Sequence, residues 1–154
     1  MSVELQIVST YLPLPSQQQF ARWVALANQQ QANSEVLIRV VDEAESAELN
    51  LTYRQKTGPT NVLSFPFERP EGLPAEALDA EYLGDLVICA PLLDEQAKQQ
   101  CKPVFEHWAH LVIHGCLHLQ GYDHIEQLDA EVMESLEVSL LDGIGIDDPY
   151  KDKT

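Results

Sequence analysis

The segment HGCLHLQGYDH, from His114 to His124, contains three of the five histidines of this 154-residue chain. His114 and His118 are four residues apart, so on a helix they lie on one face, about 6 Å apart along the axis. Imidazole nitrogens at that separation can converge on one metal ion, and zinc is commonly held in this way. We therefore predict a metal site, and a histidine-held zinc ion with an open position can activate water for hydrolysis.

A further histidine, His110, precedes this segment on the same helical stripe. Since His110 and His118 are about 12 Å apart along the axis, the helical pair is either His110 with His114 or His114 with His118. The residues that follow favour the second pair, because Gly121 can end the helix in a left-handed conformation and turn the chain back, so that His124 reaches the ion. The predicted site has His114, His118 and His124 as ligands and a fourth position open, which is typical of catalytic zinc.

Four neighbouring residues have less definite roles. His107 and His110 are interpreted as ordinary surface or core residues of the helix. Cys116 lies two residues from each helical histidine, so its side chain points away from them and is expected in the core. Asp123 fits three roles: a partner that orients a histidine, a base towards the water on the metal, or a turn residue, with the last two favoured equally.

The residue after His114 bears on the class of substrate. The spacing H-x3-H-x2-G-x2-H is that of the metzincin metalloproteases, in which the residue after the first histidine is the glutamate that acts as general base. Gly115 occupies that position here, and neither Cys116 nor Leu117 can replace a glutamate. This argues against ordinary peptide hydrolysis, because no side chain next to His114 can take a proton from water and pass it to a leaving amine.

Hydrophobic periodicity predicts the elements that position these residues. Apolar–polar alternation or β-branched runs indicate four strands, at residues 3–9, 35–42, 61–67 and 83–91. Helical spacing and caps indicate five helices, one capped by Ser16 and the others at 43–55, 92–100, 103–120 and 125–143. The apolar face of the last helix is assigned to Leu128, Val132, Leu136 and Leu140. The order is β-α-β-α-β-β-α-α-α in one domain, residues 1–154, of which 147–154 are expected to be a frayed tail.

Charge and composition restrict the class of protein. Nine Lys and Arg face 25 Asp and Glu, a formal net charge of -16, whereas a free-standing nucleic-acid-binding protein is usually basic. An anionic substrate must therefore meet a local basic patch. The three cysteines form no disulfide framework, and we expect neither a signal peptide nor a membrane-spanning segment. We expect a cytoplasmic protein without a membrane partner.

Three segments resemble one protein family. HGCLHLQGYDH is similar to the H-G-x-L-H-L-x-G-Y-D-H signature of the YbeY family of bacterial endoribonucleases. Upstream, LNLTYRQKTGPTNVLSFPFE is similar to the family segment L-N-x-x-Y-R-x-K-x-x-P-T-N-V-L-S-F-P, and LGDLVIC is similar to its L-G-D-I strand. The segments follow in the same order and the likeness extends from about Val36 to Leu141, so the chain is identified as a member of this family.

The resemblance implies an α/β (α+β) fold, with a small mixed four-stranded sheet, about five helices and the metal on the helical side. It implies one Zn²⁺ per chain, with His114, His118 and His124 as ligands and with His114 and Arg54 as catalytic residues. It implies single-strand-specific cleavage of RNA, in maturation of the 16S rRNA 3′ end and in quality control of 70S ribosomes. The implied partners are rRNA, the small ribosomal subunit, and a ribosomal protein or a ribosome-associated GTPase.

A mechanism that fits these residues uses zinc to activate water or the ribose 2′-OH, while the guanidinium of Arg54 stabilises charge on the phosphoryl oxygens. Asn61 and Ser64 either hydrogen-bond the substrate or serve the turn and strand, and Asp85 either orients a ligand or caps its strand. Two other functions stay open: a non-catalytic zinc protein that docks on ribosomal particles, and a metalloprotease that lacks the usual glutamate. The acidic composition favours the protein that docks on ribosomal particles, while Gly115, in place of the glutamate, argues against a metalloprotease.

Overall fold

The computed structural model describes residues 2–28, 34–67, 81–122 and 127–150. It contains four strands and five helices in the predicted order: β1 Ser2–Ile7, α1 Gln17–Ala27, β2 Ser34–Val41, α2 Glu43–Arg54, β3 Val62–Pro66, β4 Glu81–Cys89, α3 Ala90–Gln99, α4 Val104–Leu119 and α5 Gln127–Asp142. Ser16 caps α1 as predicted, since its hydroxyl accepts from the backbone N–H of Gln19 at 3.2 Å. No helix within these ranges is long and apolar enough to span a lipid bilayer.

The four strands form one mixed sheet in the order β1-β2-β4-β3, which confirms the expected fold. β1, β2 and β4 run parallel, and β3 pairs antiparallel with β4 along the edge, for example Leu63 with Val87. Pro66 ends β3, because a proline has no N–H for the ladder and is tolerated at an edge. β3 is therefore an edge strand of the sheet, paired only with β4 among the described strands.

The two faces of the sheet are unequally covered. The larger core cluster lies between the sheet and helices α1, α3, α4 and α5, and it includes Phe20 and Trp108, whose ring centroids are 5.6 Å apart in an edge-to-face arrangement. A small cluster on the opposite face joins Val87 to Leu49 of α2. Successive residues of a strand point to opposite faces, so α2 and the helix that carries the histidines lie on different sides of the sheet.

Helix α4 packs very closely on the sheet at Gly115. A Cβ atom added there would lie 2.7 Å from Leu86 Cδ2 and 3.4 Å from Ser64 Oγ, so only glycine fits without movement of its neighbours. The hydroxyl of Ser64 also donates to the carbonyl of Gly115 at 3.5 Å. The position that carries the general base in metzincins thus faces β4 and β3 and has no room for a glutamate.

The buried face of α5 differs from the predicted one. Val132, assigned to the apolar face, is 59% exposed, while the fully buried row consists of Met133, Glu137 and Leu141. Leu136 and Leu140 are only partly buried, and the side chain of Leu128 lies outside the described residues. The prediction was wrong by one position because the buried row contains a glutamate, which a hydrophobic pattern counts as exposed.

Candidate metal centre

Helix α4 brings two of the predicted ligands together. The Nε2 atoms of His114 and His118 are 3.1 Å apart, and the ring centroids are 4.6 Å apart. Two imidazoles on one tetrahedral zinc ion, with Zn–N distances of about 2.0–2.1 Å, place their nitrogens about 3.3 Å apart. The pair therefore fits a zinc ion without rearrangement, as the four-residue spacing predicted.

A carboxylate lies behind this pair. Glu137 of α5 is completely buried, and one of its oxygens, Oε1, contacts Nδ1 of His114. An ionised carboxylate can only accept, so the imidazole donates from Nδ1 and keeps the lone pair of Nε2 for a metal. A carboxylate that binds the second nitrogen of a ligand histidine is a recurrent feature of zinc sites.

The second oxygen of Glu137 has two partners. Oε2 lies 3.2 Å from Nε2 of His110, and it accepts a hydrogen bond from the hydroxyl of Tyr150. Burial raises the pKa of Glu137, but the hydrogen bonds from His110 and His114 outweigh burial, and the pKa falls to about 2. Burial and then the bond to Glu137 raise the pKa of Tyr150 above its usual value, so its hydroxyl keeps its proton.

The network also offers a different set of ligands. Ligating atoms of His110, His114 and Glu137 lie within 4.8 Å of one another, so these three residues form a His-His-Glu group that could hold a metal ion among the residues described. His114 belongs to both sets of ligands. In the predicted set it is joined on α4 by His118, and in the second set it is joined by His110 and Glu137.

The turn after α4 follows the prediction. Gly121 has φ +100°, the left-handed conformation that glycine adopts readily. The N–H of Gly121 donates to the carbonyl of His118 at 3.0 Å, and that of Tyr122 donates to the carbonyl of Leu117 at 3.0 Å, so the chain turns sharply at the helix end. The expected third ligand, His124, and the adjacent Asp123 lie outside the described residues.

His107 is a core residue, as interpreted. It is buried, and its Nε2 donates to Oε1 of Gln96 at 2.9 Å. Burial lowers the pKa of His107 to about 3, so the ring is neutral. His110, in contrast, was expected to be an ordinary residue and instead contacts Glu137, because the stripe of α4 that holds it faces α5.

Three further candidates have structural contacts in the described residues. Cys116 is fully buried, and burial raises the pKa of its thiol to about 12, so it is a core residue as predicted. Asn61 and Ser64 are held by structural bonds: Asn61 accepts from the backbone N–H of Val62 at 2.7 Å and donates to Gln96 at 3.2 Å, and Ser64 contacts α4.

Asp85 has neither of its expected roles. It lies in the middle of β4 beside Leu37 and Phe65, so it does not cap the strand. Its neighbour Leu86 faces α4, so Asp85 points to the α2 side, away from the histidines. Burial, followed by the charge of Glu4, raises the pKa of Asp85.

Arg54 is the last residue of α2 and is exposed. Within the described ranges no side-chain hydrogen bond or ion pair joins Arg54 to another residue. The loop after it is fixed to α2, because Ser46 Oγ donates to the carbonyl of Thr60 at 2.8 Å and Asn50 Nδ2 donates to the carbonyl of Gly58 at 2.8 Å. This loop connects Arg54 to Asn61, which lines the cavity beside the histidines.

A cavity of about 620 Å³ opens beside the histidines, and its lining includes His107, His110, His114, Asn61 and Tyr150. Its volume suits a ligand of nucleotide size. Tyr150 belongs to the segment that was expected to fray. That segment is instead packed against the site as far as Tyr150, whose ring centroid is 5.4 Å from that of His110, and residues 151–154 lie outside the described part.

Sequence reasoning missed Glu137 and Tyr150. Glu137 is 23 residues from His114 along the chain, and Tyr150 lies in a segment whose composition is typical of a tail. One signal was available: Glu137 falls at four-residue steps between the apolar Met133 and Leu141, where a charged residue needs a buried partner.

The fold and the site define a single-domain α/β protein whose buried helix carries the histidines of a candidate metal site. The family model described as Endoribonuclease YbeY matches residues 11–145. A protein of Methylococcus capsulatus described as Endoribonuclease YbeY is 53% identical over 152 residues, which cover 99% of this chain and 97% of the relative. The chain therefore belongs to the Endoribonuclease YbeY family, and the expected resemblance is confirmed.

A solved structure is also similar. The solution structure of a Thermotoga maritima protein matches with a TM-score of 0.61 and 21% sequence identity, over 97% of this chain and 99% of that chain. At this identity the likeness supports the fold alone.

Proposed function

We propose that this chain is a single-strand-specific metallo-endoribonuclease that hydrolyses RNA phosphodiesters with one Zn²⁺ per chain. The observation that carries the proposal is the separation of 3.1 Å between Nε2 of His114 and Nε2 of His118, which matches two ligands of one zinc ion. Membership of the Endoribonuclease YbeY family supports RNA as the substrate.

In the proposed ligand set, His114 and His118 come from α4 and His124 follows the turn at Gly121. Three imidazoles leave a fourth position for water or substrate. The chemistry that zinc supplies there is activation of water, or of the ribose 2′-OH, and polarisation of a phosphoryl oxygen. His114 acts through its orientation, because its Nδ1 is held by Glu137.

Arg54 is proposed to stabilise negative charge on the phosphoryl oxygens. A guanidinium presents several donors in a plane, which suits a phosphoryl group better than a point charge. Arg54 is exposed at the end of α2, and the fixed loop that follows it leads to the cavity at Asn61. In a chain with nine basic and 25 acidic residues, such a cation is an important contact for RNA.

The proposed cellular role is maturation of the 16S rRNA 3′ end and quality control of 70S ribosomes. The net charge of -16 weakens binding to free RNA, so we propose that the enzyme reaches rRNA through a basic surface on a small-subunit protein or a ribosome-associated GTPase. The free cysteines Cys89, Cys101 and Cys116 fit the proposed cytoplasmic location.

The test is cleavage of an unstructured RNA by zinc-loaded protein, with and without a chelator. We expect His114→Ala to abolish cleavage. His107→Gln is the matched control on the same helix and should keep activity, because its amide can still donate to Gln96. Cleavage that survived both chelation and His114→Ala would come from a contaminating nuclease and would contradict the proposal.

The two alternative functions give different results. A metalloprotease would digest casein in a parallel assay, and the packing at Gly115 leaves no room for its glutamate. A non-catalytic docking protein would bind small subunits without cleaving RNA. If the His114→Ala variant still co-sedimented with small subunits, docking would be separable from catalysis.

A further inference from the structure

We infer that Glu137 is the positioning residue of the metal centre: its carboxylate fixes His114 with the proton on Nδ1, and Tyr150 and His110 fix the carboxylate. This inference rests on the proposed function, because it assigns a role within that site. It makes the C-terminal segment through Tyr150 a part of the centre and not a tail.

The first argument is the burial of Glu137. The residue has 0% exposure, and a buried carboxylate is strongly destabilising unless donors replace the lost water. Glu137 has three such partners, the ring nitrogens of His110 and His114 and the Tyr150 hydroxyl. A leucine would pack at this position at lower cost, so the acid fits a specific function better than core packing.

The second argument is the direction of the bonds. Oε1 of Glu137 is used for His114 and Oε2 is shared by His110 and Tyr150. Because Nδ1 of His114 faces the carboxylate, its Nε2 is turned towards Nε2 of His118 at 3.1 Å. The carboxylate thus sets both the tautomer and the rotation of the ring, which are the two properties that a ligand imidazole needs.

The third argument is the placement of Tyr150. Its backbone N–H donates to Asp148 at 2.8 Å, which fixes the last turn. Its ring packs edge-on against His110, and its hydroxyl reaches Glu137. The C-terminal segment therefore holds the carboxylate through Oε2, the oxygen that does not contact His114.

The rival assignment makes Glu137 a direct ligand together with His110 and His114. The two assignments differ at single residues. If Glu137 is a positioning residue, His118→Gln loses zinc binding and His110→Gln keeps most of it. If Glu137 is a ligand, these two results are reversed.

The first experiment is a ¹H–¹⁵N correlation spectrum of the histidine ring nitrogens in the metal-free protein, recorded about two pH units above the usual imidazole pKa of about 6.5. We expect His114 in the Nδ1–H tautomer. The Glu137→Gln variant should keep this tautomer, because the amide oxygen still accepts, whereas Glu137→Leu should give a mixture of tautomers.

The second experiment is zinc affinity, measured by competition with a chromophoric chelator on the full chain. Glu137→Leu should weaken binding by about 10- to 100-fold, the usual effect of removing a partner of a ligand histidine, and Glu137→Gln should weaken it less. Tyr150→Phe, which removes one hydroxyl at a partly exposed site, should weaken binding in the same direction and keeps the test valid if Glu137→Leu does not fold.

Two results would overturn the inference: unchanged zinc affinity in Tyr150→Phe and in folded Glu137→Leu, or loss of zinc in His110→Gln with retention in His118→Gln. Neither result affects the proposed function if His114→Ala still abolishes RNA cleavage. Conversely, if zinc-loaded protein does not cleave RNA, the tautomer of His114 and the zinc affinities still decide the role of Glu137.

Discussion

Substitution of Gly115 by alanine tests the close packing between the metal-site helix and the sheet. The added Cβ would lie 2.7 Å from Leu86 Cδ2 and 3.1 Å from Leu86 Cδ1, well inside the usual carbon–carbon contact of about 3.5–4.0 Å. Overpacking of this kind costs about 1–3 kcal/mol, and the higher helix propensity of alanine returns about 1 kcal/mol. We expect a net destabilisation of about 1 kcal/mol, which lowers the melting temperature by about 2–4 °C in a chain of this size.

The assay is a double-mutant cycle followed by urea unfolding, with Leu86→Val as the partner substitution. Valine withdraws the methyl groups that meet the new Cβ, so the double variant should be more stable than the sum of the single effects by about 1 kcal/mol. Additive effects, or a stabilisation of about 1 kcal/mol by Gly115→Ala alone, would refute the packing argument. Zinc affinity should fall in Gly115→Ala and recover in the double variant, because α4 carries His114 and His118.

Three further predictions concern other parts of the chain. Arg54→Ala should lower RNA cleavage about 100-fold without changing the melting temperature, since Arg54 is exposed, and Arg54→Lys should restore only part of it. In the unfolded chain His107 binds a proton with a pKa of about 6.5, whereas in the native state burial lowers its pKa to about 3. The contribution of neutral His107 to the free energy of unfolding is therefore complete above about pH 6.5. It falls by about 1.4 kcal/mol per pH unit from there down to about pH 3. In urea titrations this part of the acid sensitivity should be missing from His107→Gln. In thiol labelling of the native protein, Cys101 should react while Cys116 reacts only after unfolding, because Cys101 is exposed and Cys116 is buried with a pKa of about 12.

The elements and the helical part of the site follow from local patterns. Strand and helix periodicities gave the correct order of nine elements, and a four-residue spacing on a helix fixes a distance, so the approach of His114 and His118 was predictable. Gly121 was predictable because a left-handed turn favours glycine.

The remaining features depend on contacts between distant parts of the chain. Nothing local relates Glu137 of α5 to His114 of α4, and a buried glutamate also hid the true face of α5. Tyr150 lies among the charged residues of an apparent tail, and only the folded structure places it on Glu137. The catalytic roles of Arg54 and His114 and the ligand roles of His114, His118 and His124 stay predictions.

The central position of α4 has a thermodynamic consequence. Ten residues of this helix are buried in the core, and the same helix carries His114 and His118, the proposed metal ligands. An ion that binds the native helix and not the unfolded chain shifts the folding equilibrium, by about 4 kcal/mol when its free concentration is about 1,000 times the dissociation constant. Resistance to heat and to proteases would then follow zinc supply, and a zinc-starved cell would lose the enzyme through degradation as well as through inactivity.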